Sequence, residues 1–359
     1  MDESEKYKAQ AEEFLRRMIR IKAFSTEEQL RSDFVFEYLS DNGAAPERVG
    51  LNVTARTGSY ESAKPTVMLD AHLDTVMPSD QYTFSPFDPP YDKDTICGLG
   101  SNDDGGSVAA MIHTFLYFND NKSELDKLDV NLMLSLTVEE EKVGANGIMK
   151  VREKMDGVKF AIVGEPTGMK AAVGERGLLV VDALSEGVSG HAAREEGVNA
   201  LYIAMDDIEK VRSFKFDRKS ETMGCVKMTV TQINAGTQHN VVPDKCSWVI
   251  DIRPTDCYKS SEIMEILRAD LKSSLKARNL EHDSSATPQG HPIFEVLNRL
   301  GIETYVSPTT SDWTRIAVPA VKMGPGESSR SHKADEFLKV SELVSAIDIY
   351  IELLKAIKL

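Results

Sequence analysis

The sequence predicts an α/β fold, with a mainly parallel central sheet interrupted by an inserted α+β segment. Three observations point to it. Short apolar runs at 66–69, 132–138 and 160–163 are rich in β-formers and nearly free of polar residues, as expected of strands covered on both faces. A helical stretch at 106–118 lies between the first two, and strands alternating with helices imply a parallel sheet. From about Arg176 to about Ser284 the texture changes to a strand, an amphipathic helix, two strands that look paired, and a second helix. That order suits a small antiparallel layer with both helices on one face.

Taken in order, Phe14, Met18 and Ile21 recur at helical spacing and predict a first helix. Ser25-Thr26-Glu27-Glu28 reads as a capping box that opens a second helix carrying Phe34, Val35 and Leu39. Each of the three apolar runs then ends on acids or histidine: His72 with Asp74, the glutamates 139–141, and Glu165. In open α/β sheets ligands bind beyond the carboxyl ends of the strands, so three strands deliver ligand-type residues to one edge. Inside the insertion, 177–187 reads as a strand, 197–211 as a helix, 226–234 and 246–253 as paired strands, and 260–275 as a helix. Helix and strand signals resume at 291–301 and 317–324, and a helix over 340–358 closes the chain. The expected division is a larger α/β domain from 1–175 and 285–359, with a smaller one from 176–284.

The 359 residues, 41% hydrophobic and 28% charged, suffice for two cores. The net charge of -15 argues against nucleic acid and anionic lipid, both of which need clustered Lys and Arg. Cys97, Cys225, Cys246 and Cys257 show no metal or redox spacing and are expected to be free and reduced. The charged N-terminal stretch lacks the apolar region of a signal peptide, and no run reaches a membrane span. The cytoplasm is the expected location.

The chemistry begins with AHLDT. Residues two apart on a strand share a face, so Asp74 can accept the second ring N–H of His72 and fix its tautomer. In GLGSNDDGG the third glycine of a dinucleotide fingerprint is replaced by Asp103, which would repel a pyrophosphate. An acid at the start of a helix suits a metal ligand better. The run 139–141 follows a buried strand, Glu165 precedes a proline at another strand end, and His332 sits in a polar loop before the last helix. Two zinc ions would be neutralised by three carboxylates and one hydroxide, with two imidazoles completing the set. His72, Asp103, one glutamate of the run, Glu165 and His332 supply that inventory and leave another glutamate free as a base. Ligands of nitrogen and oxygen without thiolate suit zinc, with cobalt or manganese as alternatives.

At this point the ordered motifs AHLDT, GLGSNDDGG, EEE, GEPT, GHAAREEGVNA, HNVVPD, DIRP, TSDW and SHKADE resemble a known family. It is the zinc amidohydrolase family of acetylornithine deacetylase, succinyl-diaminopimelate desuccinylase, aminoacylase and glutamate carboxypeptidase. The resemblance spans nearly the whole chain. It implies a zinc-peptidase-like catalytic domain and a ferredoxin-like lid through which two chains dimerise. It further implies that Asp103 bridges two metals, with His72 and Glu165 on one and Glu141 and His332 on the other. Glu140 would be the general base, Asp74 the orienter of His72, and the Asp103–Asp104 peptide cis. Glu139 stands where the family has Asp. His191 resembles the lid histidine that reaches the partner's active site, and Arg176, Asn240, Arg253 and Thr310 match positions that hold substrate.

The implied activity is hydrolysis of an N-acylated amino acid, most like acetylornithine deacetylase of arginine biosynthesis. The desuccinylase is the nearest alternative, although its usual Gly-Gly-Thr-Ser-Asp loop reads Pro308-Thr309-Thr310-Ser311-Asp312 here. Lys142 in place of glycine after Glu141 keeps a dipeptidase or carboxypeptidase open. A non-catalytic metal-binding relative is the alternative of a different class.

Overall fold

A computed structural model describes residues 4–58, 60–194 and 196–359. In chain order the elements are α1 (Glu5–Met18), α2 (Gln29–Asp41), β1 (Glu47–Val49), β2 (Asn52–Arg56), β3 (Thr66–His72), β4 (Thr95–Cys97), α3 (Gly105–Asp120), the single turn α4 (Lys122–Leu125) and β5 (Asn131–Thr137). Then come the short α5 (Ile148–Val151), β6 (Val158–Val163), β7 (Ala171–Glu175), β8 (Leu179–Glu186), β9 (Gly190–His191), α6 (Ala200–Ser213), β10 (Lys227–Ala235), β11 (Val241–Val242) and β12 (Lys245–Arg253). Last are α7 (Ser260–Asp270), β13 (Ser274–Ala277), β14 (Ser285–Ala286), α8 (Ile293–Arg299), β15 (Thr304–Ser307), β16 (Ala320–Lys322), β17 (Phe337–Lys339) and α9 (Val340–Ala356). The chain divides into two compact units. One comprises Met1–Val173, Thr287–Tyr305 and Ser311–Leu359, and the other Gly174–Ala286 and Val306–Thr310.

The first unit is built on a mixed sheet in the order β1-β2-β5-β3-β6-β16-β7. Its centre, β5-β3-β6-β16, is parallel, and the flanking pairs β1-β2, β2-β5 and β16-β7 are antiparallel. All seven residues of β3 and of β5 are buried, which is why each reads as a mainly apolar run, with Asp70 and Ser135 as the buried polar exceptions in their interiors. Helix α3 is also buried along Val108–Phe118 and packs against α1, α9 and β3. Helix α1 contributes one face, Tyr7, Ala11, Phe14, Leu15 and Met18, spaced at three and four residues.

Register is what assembles the site. In the parallel ladder His72 lies opposite Thr137, and Asp70 opposite Val163. The chain after each strand therefore emerges at the same sheet edge, and that edge carries residues 72–74, 138–141 and 165.

The second unit is a four-stranded antiparallel sheet in the order β10-β12-β8-β13, with α6 and α7 in the β-α-β-β-α-β order of a ferredoxin-like layer. Its core gathers Leu179, Val181, Trp248, Ile250, Ile252, Ile263 and Leu267. Here the structure corrects the sequence. The helix expected over 260–275 stops at Asp270, and Ser274–Ala277 forms the edge strand β13 on β8. The edge strand presents alternating exposed and half-buried residues, a pattern too weak to distinguish from a helix end.

The capping box is a second correction. Helix α2 begins after Glu28 with no side-chain cap, because Ser25 and Glu28 are used elsewhere. Ile21 likewise lies beyond the end of α1, which stops at Met18.

Candidate metal centre

His72 ends β3, and its two ring nitrogens face different partners. Nδ1 lies 3.1 Å from the Asp74 carbonyl oxygen and 3.4 Å from Asp74 Oδ1. Nε2 lies 3.2 Å from Asp103 Oδ1 and 3.9 Å from Glu140 Oε2. A proton held on Nδ1 by Asp74 leaves the Nε2 lone pair directed at the acids. On the other side, His332 Nε2 lies 3.0 Å from Glu141 Oε1 and 3.7 Å from Asp103 Oδ2. The Asp103 carboxylate thus stands between two imidazoles, one oxygen toward each. Donor atoms of His72, Glu140 and Glu165 gather within 4.8 Å of one another, as do those of His72, Asp103 and Glu141.

The backbone explains which glutamates turn inward. Glu139 adopts φ 60°, and its carboxylate turns away to accept from Asn146 Nδ2 at 2.7 Å and Asn146 N at 3.1 Å. The next two amides are fixed by Asp74: Glu140 N donates to Oδ1 at 3.0 Å and Glu141 N to Oδ2 at 3.1 Å. Ser25 Oγ donates to the same Oδ2 at 2.6 Å. One carboxylate, fully buried, therefore orients the imidazole of His72 and the turn that carries Glu140 and Glu141. Asp103 follows Gly100 at φ 76°, where a Cβ would lie 2.5 Å from Thr75 Cγ2, and the Asp103–Asp104 peptide is cis. Glu165 follows Gly164, where a Cβ would lie 2.5 Å from Ser107 Cβ, so only glycine lets β6 approach α3 there.

The electrostatics are those of a crowded acid cluster. Burial pushes Glu140 and Glu165 well above the carboxylate range, with His72 opposing the rise at Glu140 and Lys322 opposing it at Glu165. Burial also works against a charged His72, but Asp103, Asp74 and Glu140 outweigh it and hold the ring above the usual histidine range. The hydrogen bond to Glu141 pushes His332 up to about 9. Burial works against the Asp103 anion, yet the His72 contact keeps it below the ordinary range. Asp103, Glu140 and Glu141 approach these two histidines as ion-pair partners. An oxygen-rich cluster with two imidazoles and no thiolate, in which burial opposes the charged forms of Glu140 and Glu165, fits a pair of divalent cations of the zinc, cobalt or manganese kind.

The remaining residues singled out in the sequence lie in the second unit. His191 and Asn240 come together there: β9 pairs with β11, and Ala192 N donates to the Asn240 carbonyl at 3.0 Å. Both are exposed. Arg176 is held by the carbonyls of Met223 and Cys225. Arg253 grips Asp251 through two bonds of 2.8 and 3.0 Å. Thr310 is half-buried just before Ser311.

Other supporting residues carried no expectation of a role at the site. Asp312, inside TSDW, accepts from Thr137 Oγ1 at 2.8 Å, and burial pushes its carboxyl up to about 6. Glu28 Oε1 accepts from Glu139 N at 3.0 Å, and the buried Arg31 donates to the Leu73 carbonyl at 2.7 Å. Their partners lie 42 to 175 positions away, so no local spacing announces them.

Among the described residues no helix is long and apolar enough to cross a membrane, and the four cysteines are free. Peptidase family M20/M25/M40 matches residues 68–356. Succinyl-diaminopimelate desuccinylase from Pelagibacter ubique is 26% identical over 334 residues, 85% of this chain and 85% of its own. The enzyme of that name from Psychromonas ingrahamii is 28% identical over 330 residues, 83% of this chain and 84% of its own. Among solved structures, aminopeptidase PepT from Bacillus cereus has a TM-score of 0.76 at 16% identity, covering 97% of this chain and 98% of its own. The YXEP protein of Bacillus subtilis, described as a dinuclear metal binding peptidase, has a TM-score of 0.71 at 18% identity, with coverage of 97% and 98%.

Proposed function

The chain belongs to peptidase family M20/M25/M40 and is a metal-dependent hydrolase of amide bonds; from that premise we propose that its substrate is an N-acylated amino acid. The observation that carries the proposal is the Asp103 carboxylate standing between His72 and His332, with Glu140, Glu141 and Glu165 around it. In this reading His72, Asp103 and Glu165 would hold one ion, and Asp103, Glu141 and His332 the other. When bound, the ions supply Lewis acidity to the substrate carbonyl and lower the pKa of the attacking water.

The chain's own residues do the rest. Glu140 takes the proton of the attacking water and returns it to the leaving nitrogen, a role that its place beside His72, with Oε2 3.9 Å from Nε2, allows. Asp74 keeps the His72 ring turned and the Glu140 amide in place. His191 serves as a donor to the developing oxyanion, and Arg176, Asn240, Arg253 and Thr310 hold the carboxylates and carbonyls of the substrate. A guanidinium suits that task because two N–H bonds form at once, as Arg253 forms with Asp251, and a substrate carboxylate would replace such acceptors.

The acyl group is where two readings part. The relatives from Pelagibacter ubique and Psychromonas ingrahamii carry the desuccinylase name and favour an N-succinyl amino acid such as succinyl-diaminopimelate. The loop 308–312, with Pro308-Thr309 where the desuccinylase pattern has two glycines, weakens that match and keeps the acetylornithine reading in play. A homodimer formed through residues 176–284 and a cytoplasmic location belong to the same proposal, the latter supported by four free cysteines.

The test is hydrolysis of N-succinyl-diaminopimelate, N-acetylornithine and a simple dipeptide by chelator-stripped protein, before and after zinc is added. Zinc-dependent turnover of one substrate names the branch. Zinc-independent turnover, or none on any N-acyl amino acid or peptide, overturns the proposal.

A further inference from the structure

Asp103 and His332 come from loops 229 positions apart, and the two loops hold each other by side chains that the hydrolytic reaction does not use. Glu336, four residues after His332 and 2% exposed, turns its carboxylate onto the backbone of the Asp103 loop. Its Oε2 accepts from Gly100 N at 3.0 Å, and its Oε1 accepts from Asn102 N at 2.8 Å and Asp103 N at 2.9 Å. The grip is returned. The fully buried Asn102 donates through Nδ2 to the Glu327 carbonyl at 3.1 Å and Ser331 Oγ at 3.3 Å, and accepts from Glu327 N at 2.9 Å. Gly326, at φ 84°, makes room for it: a Cβ there would lie 2.3 Å from Asn102 Oδ1. The pairing continues without a break into the short ladder of β4 with β17, through Gly98 N on the Glu336 carbonyl at 2.9 Å.

We propose that Glu336 and Asn102 are reciprocal positioning residues that set the distance between His332 and Asp103 and thereby the affinity of the ion held by His332 and Glu141. His332 needs such help. Its side chain is 55% exposed and its backbone sits at φ 59°, so its own packing does little to fix it. The inference rests on the reading of the cluster as a metal centre.

The clamp has a chemical signature. Three backbone N–H groups converge on Glu336, and all require an acceptor. Glu336→Gln keeps the shape but turns an amide N–H₂ toward one of those donors, leaving a buried N–H without its partner. Asn102→Ala removes the returning grip and leaves the β4–β17 ladder in place.

The experiment titrates zinc into chelator-stripped wild-type protein, Glu336→Gln and Asn102→Ala, by calorimetry and by competition with a chromophoric chelator. The weaker zinc affinity is expected to fall by about 10–100-fold in each variant. Turnover at saturating zinc is expected to return close to wild type, a rescue that a merely structural defect would not show. A folded variant that binds both ions as tightly as wild type overturns the clamp and leaves the metal reading standing. Wild-type protein that binds no zinc, cobalt or manganese overturns the metal reading and the clamp with it. Should Glu336→Gln not fold, Asn102→Ala decides the matter.

Discussion

At the scale of the residue, the centre is governed by what each carboxylate faces. Glu139, Glu140 and Glu141 are identical in chemistry and consecutive in sequence, yet the first bonds Asn146 while the other two approach His72 and His332. If Glu140 is the proton carrier, Glu140→Gln should lower kcat by about 10²–10⁴-fold while zinc stoichiometry stays at the wild-type value. A variant with wild-type turnover would move the base elsewhere in the cluster. Protonation offers a second test. In the metal-free chain Glu140, Glu165, His72 and His332 are all held above their ordinary values, so the folded state keeps protons that the unfolded state releases. For His332 the stabilisation is complete below the ordinary 6.5 and is lost as pH rises through about 9. Asp74 and Asp103, held low, contribute stability that is already constant over that interval. The Tm of metal-free protein should therefore fall from pH 6.5 to 9, and His332→Ala should flatten the decline. A Tm that climbs over the same interval would contradict the electrostatic account.

At the scale of the element, the parallel ladder β5-β3-β6 converts three separate strand ends into one edge. This much was legible in the sequence, because a strand buried on both faces is mainly apolar and a cluster of acids or histidine follows where it ends. The precision of the edge depends on close approach. Gly164→Ala would press a methyl group into Ser107 Cβ and to within 2.9 Å of Asp104 Oδ2. Overpacking of this kind costs about 1–3 kcal/mol, which should appear as a lower midpoint in urea and, if Glu165 is a ligand, as weaker metal affinity. Equal midpoints would mean that β6 and α3 can part without cost. The start of α2 carries a different lesson. Ser25 and Glu28 have the spacing of a capping box, but their oxygens serve Asp74 and Glu139 instead. A hydroxyl bonded to a buried carboxylate outcompetes a cap at a helix end that solvent can satisfy.

At the scale of the whole molecule, metal and assembly are the terms to test. Any ion that binds the folded chain alone stabilises it by mass action, about 2.7 kcal/mol at a hundredfold excess over Kd. Chelation should thus lower Tm and abolish turnover together, and zinc should restore both. Loss of activity with an unchanged Tm would place the ion outside the folded centre. If the chain dimerises and lends His191 to its partner, mixing inactive Glu140→Gln and His191→Ala proteins should regain activity. Each hybrid then holds one site with both groups intact. No recovery after subunit exchange would keep His191 within its own chain or out of the reaction.

The sequence by itself determined the α/β class and the family, and it marked which acids and histidines end the strands. It could do so because each signal is local: an apolar strand, the acid or histidine that ends it, and the order in which such pieces follow one another. What only the tertiary structure decided is which of equivalent groups meet. The choice among three adjacent glutamates, the use of Ser25 on Asp74 and the grip of Glu336 on the Asp103 loop all depend on contacts between residues separated by up to 236 positions. Such contacts leave no periodicity or spacing in the chain, since a side chain's bonding is set by the backbone that folding brings opposite it.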